Sequence, residues 1–467
     1  PKLKHVFVFD HQGSGAKPFA ALLEEGWNGH EADPSRFDAR ADARRPDDLA
    51  TLIYTSGTTG EPKGAMLTQS NFVSNLLAGC QILPFDGSAV TLSFLPLSHV
   101  LERLVEYCYY HRNATIAFAE SIDKLRDNLG EVNPHIFVSV PRVYEKVHAR
   151  VMEKVESGSP AKRTLFRNAL AVGKEVLALR AEKKTPGGTL ALQHFLYERL
   201  VFRKIREALG SRFRFAVSGG APLSKDLAEF FWAIGVEIYE GYGLTETSPV
   251  ISVNGPAAWR LGTVGRVMPG IEVRIAADGE ILTRGPHVMK GYHGKPEATA
   301  EAIDPDGWFH TGDIGVVDED GFLRITDRKK EIIVNSNGKN IAPAPIESAL
   351  KADPFVGQPV VIGDRRKFLS CLIVPNFEKL RDWAQKNGLS GLPDEELVED
   401  VRVRQLYKEI IDRWNAGKPH EQVINAFKVL PRELSIEGGE LTPTLKVKRR
   451  IVDQKYKTVI DGLYQGD

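Results

Sequence analysis

The spacing of apolar residues predicts strands and helices that alternate over roughly the first half of the chain. Between the apolar runs, side chains such as those from Phe72 to Cys80 recur with helical spacing. Strands that alternate with helices in this way indicate an α/β fold. The apolar runs of strand length lie at residues 52–54, 115–119, 212–217 and 236–239.

The pattern changes at about residue 250. Short apolar runs separated by glycines follow one another over residues 250–325 and predict a small β-barrel or sheet. A charged cluster around Asp327 ends this part, and helix and strand patterns alternate again after it. We therefore predict a large domain over residues 1–327 and a smaller α+β domain over 328–467.

The first 50 residues are less regular. Val6–Phe9 has the composition of a strand, and a short helix is expected over Pro18–Glu25. The rest, up to the strand at Leu52, is polar and rich in Asp and Arg, and we interpret it as a connection.

The segment Tyr54–Gly64 reads Tyr-Thr-Ser-Gly-Thr-Thr-Gly-Glu-Pro-Lys-Gly and lies between a strand and the helix expected near Thr68. A glycine-rich loop between a strand and a helix is a frequent phosphate-binding arrangement, because its backbone N–H groups can approach an anion closely. It differs from the Walker A pattern, since no Ser or Thr follows the lysine. A polar surface turn is the alternative. The candidate phosphate ligands are Thr55, Ser56, Gly57, Thr58, Thr59, Gly60 and Lys63.

Two further glycine segments follow predicted strands. The first is Ser218–Leu223 (Ser-Gly-Gly-Ala-Pro-Leu), and the second is Glu240–Thr247 (Glu-Gly-Tyr-Gly-Leu-Thr-Glu-Thr). Loops at the carboxyl ends of neighbouring strands form the usual nucleotide crevice of α/β sheets. In the second segment, Tyr242 and Gly243 can lie against a purine, Thr245 can bind a phosphate oxygen, and Glu246 can bind Mg²⁺. The candidates for nucleotide binding in the first segment are Gly219, Gly220, Ala221 and Pro222.

Two single residues are candidates by position. Tyr144 follows a strand that ends near Pro141, where ligands bind in open α/β sheets, and it is either a packed aromatic side chain or part of the mouth of a ligand tunnel. Asp313 lies in Trp308–Asp313 (Trp-Phe-His-Thr-Gly-Asp), and a carboxylate there can accept hydrogen bonds from both ribose hydroxyls. A turn aspartate is the alternative for Asp313.

Composition excludes several classes of protein. Lys plus Arg and Asp plus Glu both number 61, so the net charge gives no sign of a nucleic-acid partner. The three cysteines are far apart, which fits a reducing compartment such as the cytoplasm better than a disulfide framework or a zinc site. We expect no signal peptide, because a strand-like run lies close to the first residue, and no apolar run approaches the roughly 20 residues of a membrane span.

The helical segment 146–206 is strongly basic, with fourteen Lys or Arg against five Asp or Glu. A basic amphipathic segment can dock on anionic lipid, so peripheral membrane contact stays open. A solvated helix face is the simpler explanation.

These motifs, in this order, resemble the acyl-adenylate-forming superfamily, and the helical insert is similar to that of the AMP-forming long-chain fatty-acid–CoA ligases. The resemblance implies a large α/β domain with a small β-barrel, followed by a mobile α+β lid. Members of this family carry a longer segment before the phosphate loop. The first subdomain is therefore expected to be incomplete here, and the chain to be a fragment.

The resemblance also implies roles for residues that the pattern alone does not single out. His99, in Leu95-Pro-Leu-Ser-His99, lines the carboxylate pocket, and Arg328 reaches the ribose or a phosphate. A hinge lies at Asp327–Lys330, with Lys330 as its pivot. Tyr144 lines the mouth of an acyl tunnel, and Lys446 contacts the substrate carboxylate and the α-phosphate. Leu445 stands where many members have Gly, which keeps Lys448 as the alternative.

The implied activity is the ATP-dependent conversion of a long-chain fatty acid, through an acyl-adenylate, into acyl-CoA, with Mg²⁺ and CoA required. One alternative is a ligase that loads a carrier protein or uses an aryl acid, and another is a non-catalytic protein that binds nucleotide or lipid. The sequence leaves the acyl chain length and the oligomeric state open, with a homodimer among the alternatives.

Overall fold

A computed structural model describes residues 4–9, 16–55, 62–121, 124–207, 210–336, 339–441 and 447–465 of the chain. The strands, in chain order, are β1 (Phe7–Val8), β2 (Lys17–Pro18), β3 (Leu49–Thr55), β4 (Lys63–Thr68), β5 (Val90–Ser93), β6 (Thr115–Phe118), β7 (Ile136–Ser139), β8 (Phe215–Ser218), β9 (Ile238–Gly243), β10 (Val250–Val253), β11 (Arg266–Val267), β12 (Glu272–Ile275), β13 (Glu280–Arg284), β14 (Gly291–Tyr292), β15 (Phe309–Val317), β16 (Leu323–Arg328), β17 (Ile333–Val334), β18 (Asn340–Ile341), β19 (Val356–Ile362), β20 (Leu369–Pro375) and β21 (Ile424–Val429).

The α-helices are α1 (Phe19–Ala32), α2 (Ser35–Asp42), α3 (Gln69–Ile82), α4 (Val100–His111), α5 (Leu125–Val132), α6 (Pro141–Glu156), α7 (Pro160–Ala181), α8 (Gly188–Tyr197), α9 (Arg203–Arg206), α10 (Lys225–Ala233), α11 (Pro296–Ala302), α12 (Pro343–Leu350), α13 (Phe377–Lys386), α14 (Asp394–Leu397), α15 (Val401–Asn415), α16 (Arg449–Lys455) and α17 (Lys457–Gly462). None of them, in the part of the chain that the structure describes, combines the length and apolar character needed to cross a bilayer.

The central sheet has the strand order β11-β10-β9-β8-β7-β5-β6. The pairs from β6 to β9 are parallel, whereas β10 and β11 are antiparallel. β7 and β8 are buried along their whole length, as expected for parallel strands covered on both faces. Their carboxyl ends, with that of β5, lie at one edge of the sheet, and the glycine segments begin there.

Two predictions near the amino terminus are wrong. The helix expected over Pro18–Glu25 begins at Phe19 and continues to Ala32, and the polar connection after it contains α2. Residues 26–30 read Gly-Trp-Asn-Gly-His, which are weak helix formers, so composition placed the end of this helix too early.

The predicted strand–loop–helix arrangement around the phosphate loop also needs correction. β4 lies between the loop and α3, and it pairs with β3 in an antiparallel hairpin. The loop therefore joins two strands instead of opening a helix. α3 begins where it was predicted, because Thr68 and Asn71 form a reciprocal capping box at its first turn.

The β-rich part contains an open antiparallel sheet, β12-β13-β15-β16, which is the second of the two forms, barrel or sheet, that the sequence pattern predicted. β12 and β16 are its edges, and four short strands are too few to close around a core. β14 leaves this sheet and pairs instead with β4 of the phosphate hairpin. Through that pairing, the β-rich part reaches the nucleotide crevice.

The carboxyl-terminal part has a core of its own. Its buried cluster is formed by residues between Ile333 and Ile460, mainly from β19, β20 and the helices around them. β19 pairs antiparallel with β20, and β21 pairs parallel with it. A mixed sheet with helices agrees with the predicted small α+β domain, and the exact boundary near Asp327 stays a prediction.

Candidate functional site

The strands on either side of the phosphate loop bring Thr55 and Lys63 together. They are register partners, and the Thr55 hydroxyl donates to the Lys63 carbonyl oxygen at 3.3 Å. The Lys63 Nζ lies 5.0 Å from the centre of the Tyr292 ring on β14. The other predicted ligands of this loop lie outside the described residues: Ser56, Gly57, Thr58, Thr59 and Gly60.

Glu246 contacts the hydroxyl of the same tyrosine. It stands in the short 3₁₀ turn Thr245–Thr247 that follows β9, and its Oε1 accepts a hydrogen bond of 2.8 Å from the Tyr292 hydroxyl. Burial, together with the nearby Glu246 carboxylate, raises the pKa of Tyr292, so this hydroxyl remains a donor. Tyr292 therefore connects the cation of the phosphate loop with the predicted metal ligand, and no sequence pattern had singled it out.

The surroundings of Glu246 fit a magnesium ion held mainly by a substrate. Among the residues that the structure describes, no group of three or more His, Cys, Asp or Glu could hold a metal ion. Mg²⁺ in nucleotide sites is bound by one or two carboxylates, and phosphate oxygens and water complete its coordination. A single half-buried glutamate beside a phosphate loop matches that donor set.

Asp313, Arg328 and Tyr242 form one cluster. Asp313 on β15 is 4% exposed and is the register partner of Arg328 on β16, whose Nε lies 3.1 Å from its Oδ1. The Tyr242 hydroxyl of β9 donates to the Asp313 Oδ2 at 2.7 Å. Three residues that the sequence connected with the nucleoside are thus in direct contact.

The two glycine segments begin on neighbouring strands but differ in conformation. Gly219 to Pro222 form a loop after β8, with Gly220 at φ +77°, where side chains are rarely tolerated. The residues from Glu240 to Gly243, predicted as a loop, belong to β9 because they pair with β10. A Cβ at Gly243 would lie 1.7 Å from the Pro249 carbonyl oxygen, so this position requires glycine.

His99 and Tyr144 have clear structural roles. The His99 Nδ1 accepts a hydrogen bond from the Leu101 N–H and caps α4, with its side chain exposed near the edge of the crevice. Tyr144 is buried, and its hydroxyl donates to the Val217 carbonyl oxygen at 2.9 Å. The apolar cavity beside Tyr144 has a volume of about 20 Å³, which is room for a single water molecule. The role of Tyr144 in an acyl tunnel stays a prediction.

The predicted hinge lies between anchored segments. Lys329 pairs with Asp278 and Glu280 of the β-rich part, at 2.6 and 2.8 Å, whereas Lys330, the next residue, is exposed. Asp327 is buried, which raises its pKa to about 6. Lys446 lies outside the described residues, between Leu441 and Val447, which form an antiparallel bridge.

A buried pair of acids lies behind His99. The Ser93 hydroxyl, at the end of β5, is 2.6 Å from the Glu102 Oε1 and 3.0 Å from the Glu106 Oε1, both on α4. Burial raises the pKa of Glu102 from 4.5 to about 7. The sequence gave no sign of this network, since both acids appear in an ordinary helix pattern.

Glu102→Gln should stabilise the fold at neutral pH. Between pH 4.5 and 7 the unfolded chain loses this proton and the folded chain keeps it, so the free energy of unfolding falls as the pH rises through that window. An amide cannot ionise, and we expect a gain of about 1–3 kcal/mol at pH 7 that vanishes by pH 4.5. The free energy of unfolding in urea, measured at several pH values between 4.5 and 7, tests this gain. Glu319→Gln, at an exposed position, is the control. Equal pH dependence in wild type and Glu102→Gln would contradict the assignment.

Comparisons with known proteins agree with this geometry. Residues 10–293 match the family described as AMP-binding enzyme, and residues 330–467 match the AMP-binding enzyme C-terminal domain. The chain is 42% identical over 468 residues to the long-chain-fatty-acid–CoA ligase FadD15 of Mycobacterium bovis, covering 99% of this chain and 76% of that protein. It is 35% identical over 502 residues to the human long-chain-fatty-acid–CoA ligase ACSBG1, covering 100% and 68%.

Solved structures show the same architecture. The adenylation domain of a carboxylate reductase from Mycobacterium chelonae superposes with a TM-score of 0.66 at 25% identity, over 90% of this chain and 60% of that one. ATP-bound MatB from Rhodopseudomonas palustris superposes with a TM-score of 0.62 at 23% identity, over 89% and 70%. On the family match and the two relatives above 30% identity, the chain belongs to the AMP-binding enzyme family.

Proposed function

We propose that the protein is an AMP-forming acid–thiol ligase that converts a long-chain fatty acid into its acyl-CoA through an acyl-adenylate. One observation carries the nucleotide half of this proposal. β9 holds Tyr242, bonded to Asp313, and leads within four residues to Glu246, bonded to Tyr292 beside Lys63. The carboxylate proposed for the ribose and the polar groups proposed for the phosphates therefore contact the two ends of one short segment, Tyr242–Glu246. The relatives' names support the acyl half.

In the first step, a carboxylate oxygen of the fatty acid attacks the α-phosphorus of ATP and pyrophosphate leaves. The two reactants are both anionic, so the site must supply positive charge and fixed donors where negative charge develops. Lys63, the Thr245 hydroxyl and Lys446 are the groups of this chain proposed to do so. Glu246 would hold Mg²⁺, whose charge offsets that of the phosphates. Asp313 and Arg328 hold the nucleoside end in place.

In the second step, the thiol of CoA attacks the acyl carbon and AMP leaves. A site closed around ATP leaves little room for a second large substrate, so the two steps need different domain positions. The proposed hinge at Asp327–Lys330 would carry Lys446 away from the site after adenylation. Lys329 within this segment is tied to Asp278 and Glu280 and stays with the larger domain, which supports the next residue, Lys330, as the pivot.

The first experiment tests whether the protein adenylates a long-chain fatty acid in preference to a short one. We expect palmitate to support ATP–pyrophosphate exchange at a higher kcat/KM than a short acid, because each buried methylene contributes roughly 0.8 kcal/mol. The same assay with an aryl acid distinguishes a ligase for fatty acids from a ligase for aryl acids. Absence of exchange with every acid would refute adenylation and favour a binding protein.

The acceptor is tested separately. With palmitate and ATP present, free CoA should yield palmitoyl-CoA and AMP. Product with a phosphopantetheine-bearing carrier protein, and none with CoA, would identify a carrier-loading ligase instead.

We also propose peripheral contact with a lipid surface through α8 and the π-helical segment Glu198–Phe202 that follows it. Leu192, Phe195, Leu196 and Leu200 are exposed there at 47–60%, and the Arg199 guanidinium lies 5.6 Å from the centre of the Phe195 ring. Apolar side chains beside basic ones are typical of helices that lie in a membrane interface. Flotation with anionic and neutral vesicles tests it, and loss of binding in Leu192→Ser/Leu196→Ser is expected. Unchanged flotation of that variant would contradict this surface.

Asp313→Asn should mainly weaken nucleotide binding. The amide loses the pairing with Arg328 and one acceptor for the ribose, and hydrogen bonds to charged groups contribute about 1.5–3 kcal/mol each. We expect the KM for ATP to rise about 10–100-fold, with a smaller change in kcat. Asp320→Asn, which removes an exposed partner of Arg260, is the control. A KM for ATP equal to that of the wild type would refute the ribose assignment.

A further inference from the structure

Arg449 forms a largely buried ion pair at the start of α16. Its Nη2 lies 2.6 Å from the Oε2 of Glu347, which belongs to α12. The two side chains are 18% and 17% exposed. Removal of one partner of such a pair leaves the other charge buried without compensation, so the two groups fix each other's position strongly.

The ion pair is attached to the edge of the carboxyl-terminal sheet. β19 is an outer strand of that sheet, and outer strands present backbone groups that need partners. The Val361 N–H of β19 donates to the Glu347 Oε1 at 2.7 Å, and the Val361 carbonyl oxygen accepts from the Arg449 Nη1 at 3.0 Å. The guanidinium and the carboxylate therefore bind each other and the same strand residue, which requires the planar fork of an arginine.

The chain directly before Arg449 closes on itself. The ends of the segment 441–447 form an antiparallel bridge, and the Lys448 N–H donates to the Glu440 carbonyl oxygen at 2.7 Å. Residues 440 and 448 thus form the base of this segment, and Arg449 is the next residue. The ion pair holds that base against β19.

The two sides of the base have different anchors. On the near side, the buried Glu440 carboxylate pairs with Arg432 at 2.7 Å and with Lys455 at 3.2 Å. On the far side is Arg449, whose Nε also lies 3.9 Å from the Oε2 of Glu331, one residue after the proposed pivot. Arg449 therefore relates the segment 441–447 both to the sheet edge and to the end of the hinge.

We propose that Arg449 is a positioning residue for the adenylation step, whose guanidinium fixes the base of the segment 441–447 to β19 and to the end of the hinge. The inference rests on the proposed function, in which Lys446 of this segment stands between the fatty-acid carboxylate and the α-phosphate. A displacement of about 1 Å in a group that acts on the transition state can cost about 10²-fold in rate. The second step does not use that lysine, so it depends less on the position of the segment.

Arg449→Met should lower the rate of palmitate-dependent pyrophosphate exchange about 10–100-fold, and should change AMP release from supplied palmitoyl-adenylate and CoA by less than about threefold. The ratio of the two rates does not depend on the fraction of folded protein, so a loss of stability alone leaves it unchanged. Arg449→Lys keeps the charge and loses the fork, so its ratio should lie between those of the wild type and Arg449→Met. The matched control is Arg450→Met, at the exposed next position, which should keep the wild-type ratio.

The double variant Arg449→Met/Glu347→Leu separates positioning from stability. Apolar side chains often replace a buried ion pair without loss of stability, so its thermal unfolding should return toward that of the wild type. Both bonds to Val361 are still missing, so the low ratio should persist. A wild-type ratio in Arg449→Met, or recovery of the ratio together with stability in the double variant, would overturn the inference alone. Absence of exchange in the wild type would refute the proposed function, and the inference with it.

Discussion

Lys446→Ala should lose adenylation and keep thioester formation. The lysine is proposed to stand between two anions, the fatty-acid carboxylate and the α-phosphate, while the first bond forms. Removal of one such donor typically costs about 10²–10³ in rate. The second step starts from a mixed anhydride and a thiol, where that repulsion no longer exists. Pyrophosphate exchange measures the first half, and release of AMP from supplied palmitoyl-adenylate and CoA measures the second.

Lys448→Ala is the matched control. Lys448 is exposed at the start of α16 and its backbone N–H donates to the Glu440 carbonyl oxygen, so loss of its side chain leaves that anchor intact. We expect both half-reactions to stay near the wild-type rate. Equal loss of both halves in Lys446→Ala would exclude a role specific to adenylation. Selective loss of adenylation in Lys448→Ala would move the role to that residue.

The fold could be predicted largely from local patterns. The start of α3 agrees with its sequence signal, because the capping residue Thr68 acts on the backbone only three residues away. The ends of α1 and the strand conformation of Glu240–Gly243 could not be found in this way. β9 extends through its glycines only because β10 pairs with it, and that pairing joins segments separated by a turn.

Individual site residues were harder to predict than the segments that carry them. Tyr242, Asp313 and Arg328 were each selected from a different motif, and the structure brings them into one cluster. Tyr292 and Glu102 were missed. Tyr292 reaches Glu246 only because β14 pairs with the phosphate hairpin, and Glu102 is notable for its burial and not for its residue type. The spacing of apolar residues along the chain does not reveal which distant strands pair, and it does not reveal that a single acidic side chain is buried.

Glu246→Gln should lower the rate of adenylation by about 10²–10³. The amide keeps the shape of the side chain and its bond with Tyr292, and loses the charge that would hold Mg²⁺. We therefore expect a fall in kcat for pyrophosphate exchange and a higher Mg²⁺ concentration for half-maximal rate. Glu272→Gln, an exposed acid paired with Arg284, should change neither quantity.

Tyr292→Phe separates the charge of Glu246 from its orientation. It removes one neutral donor from the carboxylate and leaves both the charge and the ring beside Lys63. A hydrogen bond of this kind contributes about 1–3 kcal/mol, so the loss in rate should be roughly 5–100-fold, smaller than that of Glu246→Gln. Mg²⁺ dependence like that of the wild type in Glu246→Gln would refute a metal role. A larger defect in Tyr292→Phe than in Glu246→Gln would assign the main effect to the tyrosine hydroxyl itself.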